Sequence, residues 1–344
     1  MNVEQVISAL GYDRSPHFLR GDDLNAHPAF SHVFRRAEQE SGLRGVYALQ
    51  DVAGNSLVPT VYVCEALDED EARKIHRRVW NQNVVPFLLV VTRQDIRVYP
   101  GFAFEVEEAP ERRLETLIKL TSEALAELDA FRSEAIDQGE LWSSRWGQLV
   151  TPEERVDWQL LEQLKRLSRW LQGQGLRRSV AHALIGKYVY LHYLRDREIL
   201  SAQRLAGWRI SPTALFGRGA EREMLFRVIE RLDDWLNGAV FPLDATDAQT
   251  VSAEHIRMVA GVFSGDLVDE GQLHLDFRRY DFARIPIETL SVVYEQFLHE
   301  DERGRDNGAY YTPLHLVNFM LDELEAKRSL VRGMKVLDPA CGSG

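Results

Sequence analysis

The last seven residues, Asp338-Pro339-Ala340-Cys341-Gly342-Ser343-Gly344, combine one acid with small side chains and two glycines. They follow the short run Met334-Lys335-Val336-Leu337. This pattern predicts a strand that carries an acidic residue into a glycine-rich turn, the opening of a nucleotide-type α/β unit. A turn of small residues lets the backbone come close to a ligand. A carboxylate at the strand tip suits a positively charged group on it. Upstream, Tyr310-Tyr311-Thr312-Pro313 precedes a helix expected from Leu314 to about Lys327. Thr312 suits the N-cap of that helix and Pro313 its first turn. A second group of acids lies near the N-terminus. Asp51 ends one expected strand, 45–51, and Glu65 lies on the next, 59–66. Two carboxylates on neighbouring strands are one way to hold a divalent metal.

The elements that must position these residues fall into three stretches. Residues 1–110 read as an α/β domain. Its strands are 45–51, 59–66, 85–92 and 95–99, and a helix over 68–82 is capped by Asp68. Residues 111–305 read as a mainly helical domain. Trp158, Leu161, Leu164, Leu167 and Leu171 recur at helical spacing, and 179–200 is apolar enough for a central buried helix. Residues 301–309 are polar and glycine-bearing, so they read as a loop. Residues 306–344 then begin a third domain.

D-P-A-C-G-S-G resembles motif I of the N6-adenine DNA methyltransferases, and Y-Y-T-P before a helix resembles their motif X. Residues 280–298 and 181–200 resemble further blocks of large restriction–modification methyltransferases in the family's order. The resemblance covers roughly residues 155–344. It implies a Rossmann-like catalytic domain, S-adenosylmethionine as cofactor and adenine in double-stranded DNA as substrate. By the same resemblance Tyr311, Thr312, Pro313, Asp338, Pro339, Ala340, Cys341 and Gly342 line the cofactor's methionine end. The helical domain becomes a scaffold and DNA clamp. Glu288, Tyr294 and Glu295 share a helix whose plainer reading is a packed element with a buried tyrosine and a solvated acid, against a direct cofactor role.

The family's catalytic motif, (D/N/S)-P-P-(Y/F/W), holds the flipped base and its amine. None of the 12 prolines is adjacent to another, so these residues do not contain it. Two readings stay open: the N-terminal region of a longer methyltransferase, or a short product without activity. In the first, residues 306–344 are expected to pack poorly when no later chain is present, because one strand makes no parallel sheet.

Enzymes of this kind often carry an N-terminal nuclease of the PD-(D/E)xK type. Asp51 and Glu65 match its two acids, and Mg²⁺ would follow if the domain were active. The place of its lysine, two after Glu65, holds Leu67, so Lys74 or Arg73 would have to swing in. An active nuclease, a degenerate one and an unrelated interaction domain all remain open. The helix 68–82 carries Arg73, Lys74, His76, Arg77 and Arg78, either as a DNA-facing stripe or as a solvated face paired with Asp68, Glu69, Asp70 and Glu71.

Composition sets the frame. The chain has 344 residues, 45% hydrophobic and 27% charged, which is ordinary globular usage. There is no membrane-length apolar run and no signal-peptide pattern. Two distant cysteines argue for a reducing, cytoplasmic setting and no disulfide scaffold. The net charge of −12 makes a broadly basic DNA face unexpected. Expected partners are double-stranded DNA, the remainder of a methyltransferase chain and subunits of a phage-defence complex. The competing class is a DNA- or protein-binding module without chemistry of its own.

Overall fold

The computed structural model describes residues 2–25, 28–50, 57–104, 115–121, 124–236, 241–265, 275, 277–298, 314–329, 331–335 and 337. Its first half is built on one six-stranded mixed sheet. The strands β1 (Phe18–Leu19), β2 (Leu43–Gln50), β3 (Leu57–Glu65), β4 (Phe87–Val91), β5 (Asp95–Pro100) and β6 (Thr116–Lys119) lie side by side in chain order. Neighbours are antiparallel except β3 and β4, which are parallel. A parallel pair needs a crossover, and here helix α4 (Glu69–Gln82) supplies it. The Asp68 side chain accepts from the Glu71 N–H at 2.9 Å, so the expected cap forms.

Both faces of the sheet are covered, which explains why β4 is buried at all five positions. The two-residue period sends Val61, Val63, Phe87 and Leu89 to one face. There they meet α1 (Val3–Ala9), a 3-10 segment (Ala124–Phe131), α5 (Ser133–Asp137) and α6 (Glu140–Ser143). Tyr62, Cys64, Leu88 and Val90 point the other way, towards α3 (Pro28–Ser41) and α4. The α/β unit therefore runs further than residue 110. β6 extends its sheet, and Phe131, Ile136, Leu141 and Trp146 complete its core. Helical composition alone did not separate these covering helices from the helical unit that follows.

That unit comprises α7 (Val156–Gly173), α8 (Arg178–Asp196), α9 (Ala202–Gly207), α10 (Arg222–Leu236), α11 (Ala245–Thr250), α12 (Ala253–Phe263) and α13 (Ile287–Leu298). Twelve of the nineteen residues of α8 are buried, so it is the central helix expected from its apolar composition. In α7, Leu160, Leu164, Leu167 and Leu171 form the inner stripe together with Leu161. Trp158 is 47% exposed, because Leu160 occupies the inward place one turn before Leu164. A last helix, α14 (Leu314–Lys327), follows. Among the described residues no helix is long and apolar enough to cross a membrane.

The two units are joined through α4 and residues 277–285. Trp80 of α4 is fully buried in the core of the helical unit, and its indole N–H donates to the Glu154 carbonyl at 3.0 Å. Asn81, also fully buried, donates to the Arg279 carbonyl at 3.0 Å and accepts from the Asp281 N–H at 2.8 Å. Arg36 donates to the Ala283 carbonyl, Arg77 to the Arg278 carbonyl, and Arg284 pairs with Glu40.

Candidate functional site

Helix α13 leads into the segment that carries the family-like motifs. It buries Leu290, Val293 and Phe297, spaced three and four apart, against α7 and α8. Glu288 is exposed and Glu295 half-buried, while Tyr294 is half-buried and donates to the His182 carbonyl at 3.3 Å. Burial pushes the Tyr294 phenol above its ordinary range. Its ring packs on Phe241 at 4.5 Å. Gly186 makes that pairing possible, since a Cβ there would stand 2.4 Å from the Tyr294 hydroxyl and 2.9 Å from the Phe241 ring. Phe241 is held with φ at +53°, and the Lys187 ammonium donates to its carbonyl at 2.7 Å. Burial pulls the Lys187 pKa down, with Asp233 opposing. Beside this pair lies an open cleft of about 420 Å³ lined by Arg178, His182, Phe241, Pro242, Tyr294 and Leu298 among others.

Helix α14 is different. Phe319, Met320, Leu321 and Leu324 are all exposed, and Val331 and Leu337 beyond it are too. The cofactor candidates Tyr311, Thr312, Pro313, Asp338, Pro339, Ala340, Cys341 and Gly342 lie outside the described residues.

In the α/β unit, Glu65 closes β3 and accepts from Arg44 at 3.0 Å. Asp51 lies outside the described residues, but its neighbour Gln50 pairs with Leu57 at the opposite end of β3 from Glu65. Eight residues of strand separate those ends, about 26 Å. Lys74 is exposed on α4. Among the described residues no group of three or more His, Cys, Asp or Glu side chains could hold a metal ion.

The basic residues of α4 do not form one face. Arg73 lies 3.9 Å from Glu69, His76 is buried, and Arg77 and Arg78 donate to backbone carbonyls of residues 278 and 40. His76 Nε2 donates to the carbonyls of Pro100 at 3.0 Å and Ala103 at 2.7 Å. Burial lowers its pKa to about 4, against the raising effect of those carbonyls. No local pattern announces that Arg77, Asn81 and the 277–285 segment meet, because about 200 residues separate them.

That meeting leaves a second, polar cleft of about 650 Å³ between the units. Arg36 and Arg77 face Arg195, Asp196, Asp281 and Arg284 across it. Burial holds the Asp196 carboxyl above its ordinary range, Arg195 opposing and Asp281 adding to it.

A family model described as N-6 DNA Methylase matches residues 286–344, that is, from the start of α13 through the glycine-rich turn. This part of the chain is therefore similar to the N-6 DNA methylases. No curated protein and no solved structure matches the chain.

Proposed function

We propose that the chain is the N-terminal region of an S-adenosylmethionine-dependent DNA adenine-N6 methyltransferase of a restriction–modification or phage-defence system. The carrying observation is that the family match takes in Asp338-Pro339-Ala340-Cys341-Gly342-Ser343-Gly344. In this reading Asp338 faces the cofactor's positively charged amino-acid end. Ala340 and Gly342 keep the turn small enough for backbone contact. Tyr311, Thr312 and Pro313 cover the same end of the cofactor. S-adenosylmethionine, when bound, supplies the methyl group. The base-holding Pro-Pro motif is not among these residues, so this segment binds cofactor and does not itself orient the amine. The α/β and helical units, joined through α4 and 277–285, form a scaffold beside the catalytic domain.

The test is transfer of a labelled methyl group from S-adenosylmethionine to duplex DNA by the protein as its gene encodes it, beside Asp338→Ala. N6-methyladenine should form, and the variant should lose about tenfold or more. That factor follows from one charge-assisted contact. Product at cytosine, no transfer at all, or transfer unchanged in the variant would refute the assignment.

A further inference from the structure

The chain carries a net charge of −12, yet among the described residues the cleft between its two units is lined by five arginines and two aspartates. Glu40, paired with Arg36 and Arg284, adds a third carboxylate at its edge. The cleft is therefore a cationic pocket in an acidic protein. Opposite walls supply the charge. Arg36 stands on α3 of the α/β unit, and Arg195 stands on the last turn of α8 in the helical unit.

Among the described residues, the protein's own bonds do not exhaust the Arg36 and Arg195 guanidinium groups. Arg36 uses Nε on Glu40 and Nη1 on the Ala283 carbonyl. Arg195 uses Nε and Nη2 on Asp196 and Nη2 also on His192, which leaves Nη1. Each guanidinium has five N–H donors. His192 adds a further polar group. An arginine can only donate, so His192 Nδ1 accepts from Arg195 Nη2 at 3.0 Å. The ring proton then sits on Nε2, which is buried and has no acceptor among the described residues. The ring lies in the cleft wall among Phe216, Phe263 and Phe282. Burial, and then Arg195, hold it neutral.

From this geometry we infer that the cleft between the α/β and helical units binds a phosphate oxyanion, bridged by Arg36 on one wall and Arg195 on the other. Planar guanidinium groups on two sides match a multiply charged tetrahedral anion better than a single carboxylate. About 650 Å³ exceeds one phosphate and fits a nucleotide or a short piece of nucleic-acid backbone. The inference does not depend on the methyl-transfer reading.

The experiment is calorimetric titration of the full chain with inorganic pyrophosphate at low ionic strength. Arg36→Met, Arg195→Met and Arg73→Met are titrated in parallel, with folding followed by circular dichroism. Arg73 stands on α4 outside the cleft lining and controls for the loss of one charge. Saturable one-to-one binding is expected, weakened about tenfold or more in Arg36→Met and Arg195→Met, but not in the control. The two side chains are 36% and 38% exposed, so if one variant fails to fold the other decides. Absence of saturable binding by the parent protein, or variants that lose no more than the control, would overturn the inference. Competition of bound pyrophosphate by a short DNA duplex identifies nucleic-acid phosphate as the source. Competition by adenosine triphosphate but not by duplex identifies a free nucleotide.

Discussion

Asn81 ties helix α4 to the 277–285 segment. Its side chain is fully buried and makes three bonds: Nδ2 to the Arg77 and Arg279 carbonyls at 2.9 and 3.0 Å, and Oδ1 from the Asp281 N–H at 2.8 Å. Asn81→Leu keeps the volume and removes all three. The Arg77 carbonyl stays in its helix and the Arg279 carbonyl keeps the Arg77 Nε at 3.4 Å, so the loss falls on the Asp281 N–H. A buried backbone N–H left without its partner costs about 1–3 kcal/mol. That is a large share of the ~5–15 kcal/mol by which a protein is ordinarily stable. Urea unfolding followed by far-ultraviolet circular dichroism reads the total. Limited proteolysis under native conditions reads where the chain opens, and cleavage should appear first within 277–285. A loss below about 1 kcal/mol, with no new cleavage there, would show that Trp80 and the surrounding arginines hold the junction without Asn81.

Three further outcomes are expected. His76 has a folded pKa of about 4, below the ~6.5 of an unfolded chain, so the unfolded state takes up the proton first as pH falls. Its contribution is therefore fully present above about pH 6.5 and falls by roughly 3 kcal/mol towards pH 4. Denaturant titrations across that window should show the loss, and His76→Gln should show a flatter profile. Gly186→Ala places a methyl 2.4 Å from the Tyr294 hydroxyl and 2.9 Å from the Phe241 ring. It should cost about 1–3 kcal/mol in thermal unfolding, and Gly186→Ala with Tyr294→Phe should recover part of it. Glu65→Ala removes an exposed pair with Arg44, so its cost in the same melt should stay within about 1 kcal/mol. A larger loss would mean that Glu65 has a structural partner beyond Arg44.

Local rules made much of the architecture legible. The Asp68 cap, the acidic first turn of α4 and the strands β3 and β4 depend on neighbours a few residues apart, and each formed where it was expected. The apolar composition of 179–200 was enough to identify a central helix, because a helix apolar all round has nowhere else to go. The glycine-rich end and the Tyr-Thr-Pro block were also readable as sequence, since their chemistry lies in residue type and order. What tertiary structure decided were the meetings between distant residues. The helices over 124–149 carry no mark of which core they cover, and only the sheet's second apolar face assigns them to the α/β unit. Trp158 and Leu160 fit helical spacing equally well, and the position of the packing partners turned Leu160 inward. The arginines of α4 read as a surface stripe because nothing local shows that Arg77 and Asn81 end against residues 278–281. Hydrogen bonds to a backbone about 200 residues away depend on the path of the whole chain. The cationic cleft comes from that path and from no local motif.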